Sequence, residues 1–497
     1  MTAWFCNRAG ALGATIIALS AAASAQVTVG PQVRIDVGGG TAAANETTMA
    51  STDFNPLRVV GAWNDWRPSV PPNEIIRMGV AISFNGGVTW ADSVVRPPLA
   101  NQSGVEGDPM TCYDNRTGTL WVGAISFASN GGVYVARMGP TDLGFGPSVM
   151  AATTGGADKG WMAAGPRPGL PDTTRVYIAY NQGLLRSDTM GSSWTGPAGY
   201  GGGLGFLPRV GPGGQLYICY WDIGTGVRLK RSLNGGDSFT DLPIATRMDV
   251  WGVQDGSRFP GTFRVPAMNY LAVDPVDGTL YCVYFDTTNV VNGQRNVDLY
   301  FTRSTNQGTS WTTPKVINGD SSPPGDQFWP WIEVDQQQNL HMVFMDSRGF
   351  GQNDGIVNGM FNIYYAFSSD KGDTWQEHKL TPVPFNSDND GLNRPTQFMG
   401  DYLGLAVGGN RVYPCYLSSQ NGDTDIFTNV VTVTPPCPAD LNGDGVIDQA
   451  DLGQLLSSFG KCSGDAGFDP AADLDGDGCV GQADLGVLLG VFGQNCP

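Results

Sequence analysis

Histidine is almost missing from this chain of 497 residues: there are 2, His341 in the strand-like run NLHMVFMD and His378 in the polar run WQEHKL. A metal centre built from several imidazoles is therefore excluded, and a Ser-His-Asp triad has little to draw on; both histidines read as structural or exposed. Charge is scarce too, at 15% of residues, and positive charge scarcer still: 28 Lys and Arg face 46 Asp and Glu, a net charge of −18. Such a surface repels polyanions, so no nucleic acid is expected as a partner. Beyond the first 25 residues no apolar run approaches the roughly 20 residues needed to cross a bilayer, and no membrane insertion is expected.

The first 25 residues carry Arg8, the apolar run ALGATIIALSAAA and then Ala23-Ser24-Ala25 ahead of Gln26. This is the pattern of a signal peptide over 1–25, so a secreted or extracellular protein is expected, with the cell surface as an option. Cys6 lies ahead of the apolar run rather than at the cleavage point, which argues against a lipid anchor.

What is abundant is glycine, 70 residues, with 33 prolines and 10% aromatics, the composition of many short strands joined by turns. One octamer recurs: SFNGGVTW from Ser83, SLNGGDSF from Ser232, STNQGTSW from Ser304 and SSDKGDTW from Ser368, with SDTMGSSW from Ser187 carrying Thr189 in the Asn/Asp place. The Asn or Asp can accept from amides two residues on, the glycine supplies a positive φ, and the aromatic can fold back onto neighbouring strands, so the octamer reads as a turn lock. Around each copy the same order of strands returns, as in QLYICYWD, GVRLKRS and FTDLPIAT. Four short strands per roughly 45 to 70 residues with a fixed turn predict an all-β propeller over 26–434. The 104 residues between Ser83 and Ser187 leave room for a further blade, marked by the degenerate SNGGVYV from Ser129. The last unit lacks an octamer and a fourth strand, which PQVRIDVGG near the start could supply. Seven blades are expected, with six as the alternative.

These octamers resemble the Asp-box (BNR) repeats of the sialidase-like superfamily. The resemblance implies a propeller whose ligand funnel lies on the face away from the boxes, and a protein that hydrolyses a glycan or only binds one. Family members that cleave sialosides hold the substrate carboxylate with three arginines, the first in a Phe/Tyr-Arg-Ile-Pro motif, and use a Tyr nucleophile, a Glu that activates it and an Asp acid. FRVP over Phe263–Pro266 matches that motif by residue type at Arg264, although three octamers precede it here. Arg167, Arg209 and Arg394 are the remaining arginine candidates, and Tyr402 beside Asp401 is the best-placed tyrosine.

Residues just ahead of each blade's first strand should line the funnel: Glu46, Glu106 and Asp108, Asp158 and Lys159, Arg209, Arg264, Trp329, and Asp401 with Tyr402. A carboxylate pair held roughly 5 to 10 Å apart could do acid and base work, and Glu106 or Asp108 opposite Asp401 is one such pair. The catalytic candidates are Asp108, Arg264, Asp401 and Tyr402. The competing reading is a non-catalytic glycan- or protein-binding scaffold, in which the same charges satisfy turn amides.

The C-terminal residues 435–497 differ. DLNGDGVIDQAD from Asp440 and DLDGDGCVGQAD from Asp473 place oxygens at the ligand positions of a calcium loop. In the first these are Asp440, Asn442, Asp444, the carbonyl of Val446, Asp448 and Asp451, with Gly445 at the turn. In the second they are Asp473, Asp475, Asp477, the carbonyl of Cys479 and Asp484, with Gly481 leaving one place to water. Each loop runs into an amphipathic helix, where Leu452, Leu455, Leu456 and Phe459 recur as Leu485, Leu488, Leu489 and Phe492. The paired loop-helix units resemble a type I dockerin, which implies two calcium ions and docking onto a cohesin-like or other cell-surface protein. Gln449-Ala450 and Gln482-Ala483 stand where dockerins often carry Ser/Thr recognition pairs.

Of the eight cysteines beyond Cys6, Cys112, Cys219, Cys282 and Cys415 sit mostly in strand patterns and read as buried thiols. Cys437, Cys462, Cys479 and Cys496 predict two disulfides with three possible connectivities, of which a Cys437–Cys496 clasp is favoured.

Overall fold

The computed structural model describes residues 25–68, 75–99, 104–249, 256–319, 324–356, 359–392, 394, 396–434 and 437–496. The leader expected over 1–25 falls outside these residues except for Ala25, as do Pro435 and Pro436. The chain divides into two compact units, one over Val27–Val433 and one containing Thr434–Pro497.

The larger unit is built from seven sheets. Six follow the chain, over 44–95, 106–153, 161–198, 204–245, 270–316 and 327–386, with four strands each in sequence order from the inside out; in the sixth a fifth short strand, Phe385–Asn386, pairs back on the third. The seventh takes three strands from 404–434 and its outer one, Gln26–Arg34, from the start of the chain. The seven-bladed reading therefore holds, and the ring is sealed by joining the two ends of this unit.

Adjacent blades bury apolar residues face to face. Val60, Val80, Val122 and Tyr134 pack between the first and second, Trp121, Met162 and Ile178 between the second and third, and Tyr177, Phe206 and Ile218 between the third and fourth. The thiols of Cys112, Cys219, Cys282 and Cys415 are free and buried, as expected. His341 is buried as well, its ring bridging Tyr365 Oη at 2.8 Å and Asp335 Oδ2 at 3.1 Å.

All five octamers form the same turn between third and fourth strands. In the first, Ser83 Oγ accepts from Gly87 N at 2.9 Å, Asn85 Oδ1 accepts from Thr89 N at 2.9 Å, and Trp90 Nε1 donates to Gly87 O at 3.0 Å. Thr189 Oγ1 does the work of Asn85 in the variant copy, accepting from Ser193 N at 2.8 Å. The degenerate copy at Ser129 is different. It occupies the turn between Thr119–Ser126 and Gly132–Met138, the second and third strands of its blade, so the hidden blade is real but its third turn has no octamer.

The smaller unit carries two helices, Gln449–Ser458 and Gln482–Gly490, around a core of Ala439, Ile447, Leu455, Ala472, Val480 and Leu488. Two disulfides staple it, Cys437–Cys496 and Cys462–Cys479. The apolar stripes are narrower than their spacing predicts. Leu455 and Leu488 are enclosed and Leu452 and Leu485 pack at the edge, whereas Leu456 and Leu489 are 50% and 52% exposed. Phe459 and Phe492 are also exposed. A unit this small has too little interior to cover all eight residues.

Candidate functional site

The inner strands start at one end of the ring axis with an irregularity that recurs. Glu46, Asp108, Lys159 and Trp329 have φ of 54°, 50°, 48° and 51°. Three of them lie where the inner strand shifts register against its neighbour, between Asn45 and Thr48, Gly107 and Met110, and Phe328 and Trp331. In the fourth blade the same shift holds Gly205, at φ 66°. A left-handed residue other than glycine costs on the order of 1 kcal/mol or more and re-aims its side chain. At Glu46, Asp108 and Lys159 the result is a meeting of charged groups from three blades.

Lys159, 4% exposed, is the hub. Its Nζ lies 3.2 Å from Glu46 Oε1 and 3.4 Å from Asp108 Oδ1, and it also pairs with Asp401 Oδ2. Its backbone amide donates to Asp108 Oδ2 at 2.7 Å. Arg264 reaches in from the loop before the fifth blade, donating from Nε to Asp401 Oδ1 at 2.7 Å and from Nη2 to Asp401 Oδ2. Asn64 Nδ2 holds the other oxygen of Glu46 at 2.8 Å.

The titration states follow from this crowding. Burial alone would favour a neutral Lys159, but Asp108, Asp401 and Glu46 overcome it and keep the ammonium charged. Burial pushes the Glu46 carboxyl well above the usual range, with Lys159 opposing and Asp108 and Asp401 adding to the push. Asp401, though buried, is held below its usual range by Lys159 and Arg264. At the edge of the cluster, burial and the neighbouring Asp108 outweigh Lys159 and bring Asp158 up to about 6.

The cluster floors a cleft of about 440 Å³, walled by Trp66, Phe127, Phe398 and Arg394 among others. Arg264 stacks on Phe398 with Cζ 4.6 Å from the ring centroid, and Arg394 stacks on Trp66 at 4.7 Å. Phe127 is 49% exposed at the rim. Asp158 stands at the edge of the cluster, half-buried: Asn181 Oδ1 accepts from its backbone amide at 2.9 Å, and its carboxyl shares a side-chain hydrogen bond with Asp108.

Of the sequence candidates, Asp108, Arg264 and Asp401 converge, together with Glu46, Asp158 and Lys159. Tyr402 sits beside them but not as a nucleophile. It is buried, burial and the nearby carboxylates push its hydroxyl well above the usual range, and that hydroxyl donates to Pro109 O at 3.3 Å. Glu106 lines the cleft but is spent on Arg96, at 2.9 Å, and Arg77, at 3.5 Å. Trp329 is enclosed by Phe263 and Phe328. Two arginines fall elsewhere. Arg209 pairs with Glu333 at 2.7 Å at the opposite end of the axis, and Arg167 pairs with Asp188 at 3.4 Å. Only Arg394 joins Arg264, so these arginines do not assemble a three-membered carboxylate clamp. Trp66, Phe127 and Phe398 were not singled out from sequence; the aromatic AWNDWRP at the end of a second strand was the available signal.

In the smaller unit the acidic side chains of the second loop come together. Carboxylate oxygens of Asp473, Asp475 and Asp484 lie within 4.8 Å of one another. Asp440 Oδ1 accepts from Gly443 N at 2.8 Å and Oδ2 from Gly445 N at 2.9 Å, shaping the first loop. Asp448 caps the first helix through Ala450 N at 2.7 Å, and Asp451 Oδ2 accepts from Asp448 N at 2.8 Å, a capping box that also brings Asp451 back to its loop. The donor set is all oxygen, which suits a hard cation.

No family model matches the sequence, and no curated protein matches it. Solved structures of similar shape include a protein of unknown function from Dyadobacter fermentans, 13% identical, covering 82% of this chain and 99% of its own, with a TM-score of 0.46. Sialidases are among them. The Hadza microbial sialidase Hz136 is 17% identical over 78% of this chain at a TM-score of 0.39, and the Trypanosoma rangeli sialidase in complex with the inhibitor DANA is 11% identical over 78% at 0.41. This chain spans 65% and 55% of those two sialidases. No helix among the described residues is long and apolar enough to cross a membrane.

Proposed function

We propose that the propeller is a glycan-directed module that holds a sugar in the axial cleft, and that the C-terminal unit is a calcium-binding, dockerin-like appendage of a secreted protein. The observation that carries the glycan reading is the meeting in one cleft of the exposed Phe127 ring, the arginine-stacked Phe398 and the half-buried Asp158, whose carboxyl pairs with Asp108. Sugars offer apolar C–H faces to rings and hydroxyl donors to carboxylates, and this wall supplies both. Arg264 is already committed to Asp401, so the cleft favours neutral hydroxyls over a ligand carboxylate. Binding rather than cleavage is the better-supported role, because Tyr402 is locked and Asp401 is held by two cations.

A hydrolytic reading rests on Asp158, whose carboxyl at about 6 stays protonated in about a tenth of molecules at pH 7, more than an ordinary aspartate, and is half protonated near pH 6, as a general acid requires. One experiment separates the two. The purified protein is titrated with a panel of neutral and sialylated oligosaccharides while released sugar is measured. Binding without release, weakened at least tenfold by Phe398→Ala, supports recognition; release that disappears in Asp158→Asn supports hydrolysis; no binding to any member rejects both.

For the appendage, Asp440, Asn442, Asp444, Val446, Asp448 and Asp451 would hold one calcium, and Asp473, Asp475, Asp477, Cys479 and Asp484 a second. The ions would supply the charge that offsets the clustered carboxylates and tie each loop to its helix. The exposed Leu456, Phe459, Leu489 and Phe492 would then face a cohesin-like or cell-surface protein partner.

A further inference from the structure

The inner strands run on from the cleft through a layer of aromatic rings. Trp161 packs against Tyr402 and Trp331 with centroids 5.4 and 6.3 Å apart, and Tyr270 against Trp331 at 5.6 Å. Beyond that layer, on the face where the octamer turns lie, the axis opens into a separate cavity of about 330 Å³. Strand register places it there: Ser187 is opposite Val176, which is opposite Ala164 on the cavity wall, and Ser368 is opposite Leu340, which is opposite Val334.

Its lining is mainly apolar, with Met49, Met162, Val210, Pro212, Trp331 and Val334. Every charged group on its wall already has a partner inside the protein. Arg209 Nη2 donates to Glu333 Oε1 at 2.7 Å, and Arg116 holds Asp114 at 3.3 Å. Trp331 Nε1 also donates to Glu333 Oε1, at 2.9 Å. The Tyr113 hydroxyl is unspent: it lines the cavity, sits half-buried, and makes no hydrogen bond with the protein, and at the rim the exposed Gln336 amide is the other polar group left available. A concave wall of this size, largely apolar, with the Tyr113 hydroxyl inside it and no uncompensated charge, has the character of a small-molecule pocket.

We propose that this cavity is a second ligand site, distinct from the axial cleft, which takes an uncharged, largely apolar molecule of one or two fused rings bearing a single carbonyl or hydroxyl that Tyr113 hydrogen-bonds. Trp331, with the Arg209 guanidinium over its ring at 5.4 Å, contributes to the inner end of the cavity, and Met49, Met162 and Val210 supply apolar wall. The closed Arg209–Glu333 and Arg116–Asp114 pairs disfavour an ionised one, because neither partner can be recruited without leaving the other unpaired. This site is independent of the glycan reading and stands or falls without it.

The test is a fluorescence titration of the full chain with the neutral probe 6-propionyl-2-(dimethylamino)naphthalene, whose one carbonyl and fused rings match these features. Saturable 1:1 binding is expected, weakened at least tenfold by Ala163→Phe, which fills the cavity, and about fivefold by Tyr113→Phe, the loss of one hydrogen bond. The anionic probe 1-anilinonaphthalene-8-sulfonate should bind this site at least tenfold more weakly. Circular dichroism establishes that each variant is folded; should Ala163→Phe unfold, Tyr113→Phe, which removes one oxygen, decides alone. Absence of saturable binding, equal affinity in the wild type and the folded variants, or equal affinity for the sulfonate overturns the proposal.

Discussion

Arg264 and Asp401, 137 residues apart in the chain, face each other as a fork, with Nε 2.7 Å from Oδ1 and Nη2 on Oδ2. On the other side of the same carboxylate stands Lys159. Three acidic side chains thus share two cations, with all but Arg264 almost wholly buried, and most of the behaviour expected of the axial cleft follows from that balance.

Replacing Lys159 by Met should leave Glu46, Asp108 and Asp401 facing one another with only Arg264 to compensate. The expected loss is about 3–5 kcal/mol, the cost of breaking a buried ion pair from one side. It is read as a fall in the denaturation midpoint of the propeller. Adding Glu46→Gln to that variant should recover part of the loss, since it removes one of the repelling groups.

Asp158 should make binding at the proposed glycan cleft depend on pH. With its carboxyl at about 6, it is neutral below that pH and ionised above, and an ionised carboxylate is the stronger acceptor for sugar hydroxyls. Affinity should therefore rise as pH increases through about 6, and ligand binding should in turn draw the Asp158 titration downward. Calorimetric titrations between pH 5 and 8 check this, and Asp158→Asn should give a flat profile over the same range.

The octamer turns predict a sharp local sensitivity. Gly372 has φ 88°, and a Cβ there would lie 2.3 Å from Cζ of Phe301 in the neighbouring blade. Gly372→Ala should cost about 2–4 kcal/mol from backbone strain and overpacking together. Thermal unfolding measures it, and Ser310→Ala, at an exposed turn position, should cost far less.

Calcium removal should act on the smaller unit. At free calcium about 100 times the dissociation constant, binding contributes about 2.7 kcal/mol per site, so chelation should lower its melting transition. Asp440→Ala with Asp473→Ala should make that transition indifferent to chelator. Calorimetry of the full chain with and without EDTA reads both.

The Cys437–Cys496 clasp spans 59 residues, and closing a loop of that length limits the unfolded chain by about 4 kcal/mol. Cys437→Ser with Cys496→Ser should destabilise the smaller unit by up to that amount while the propeller transition stays in place.

The propeller was legible because a turn has strict local demands. Ser83, Asn85, Gly87 and Trp90 each make a specified hydrogen bond, so the same residue types return wherever that turn does. Strand pairing at a distance leaves weaker marks: the closing strand was expected around PQVRIDVGG and lies at Gln26–Arg34, a few residues earlier. The degenerate SNGGVYV pointed to a real blade from the wrong turn, because Gly131-Gly132 suits any tight connection.

At the cleft, sequence position ahead of the first strands located Asp108, Arg264 and Asp401, but partnership could not be read from it. Whether an arginine is available or spent depends on a residue more than a hundred positions away. Arg209 illustrates the converse, since its residue type fits a clamp and its place along the strand carries it past the aromatic layer to the other mouth. The left-handed turns at Glu46, Asp108 and Lys159 had no mark at all, as each is occupied by a residue other than glycine.

The ring's seam sets the order in which the propeller can be completed. Asn429 Nδ2 donates to Gly30 O across 399 positions, and Gln32 Nε2 donates to Tyr416 Oη across 384. The segment translated before every other strand is thus the one that must wait longest for its neighbour, and the seventh blade keeps an open edge until that segment returns. A nascent chain that has reached residue 386 holds the strands of at most six blades and one free strand, and an earlier one fewer, so the seam is the last joint of the ring that can form.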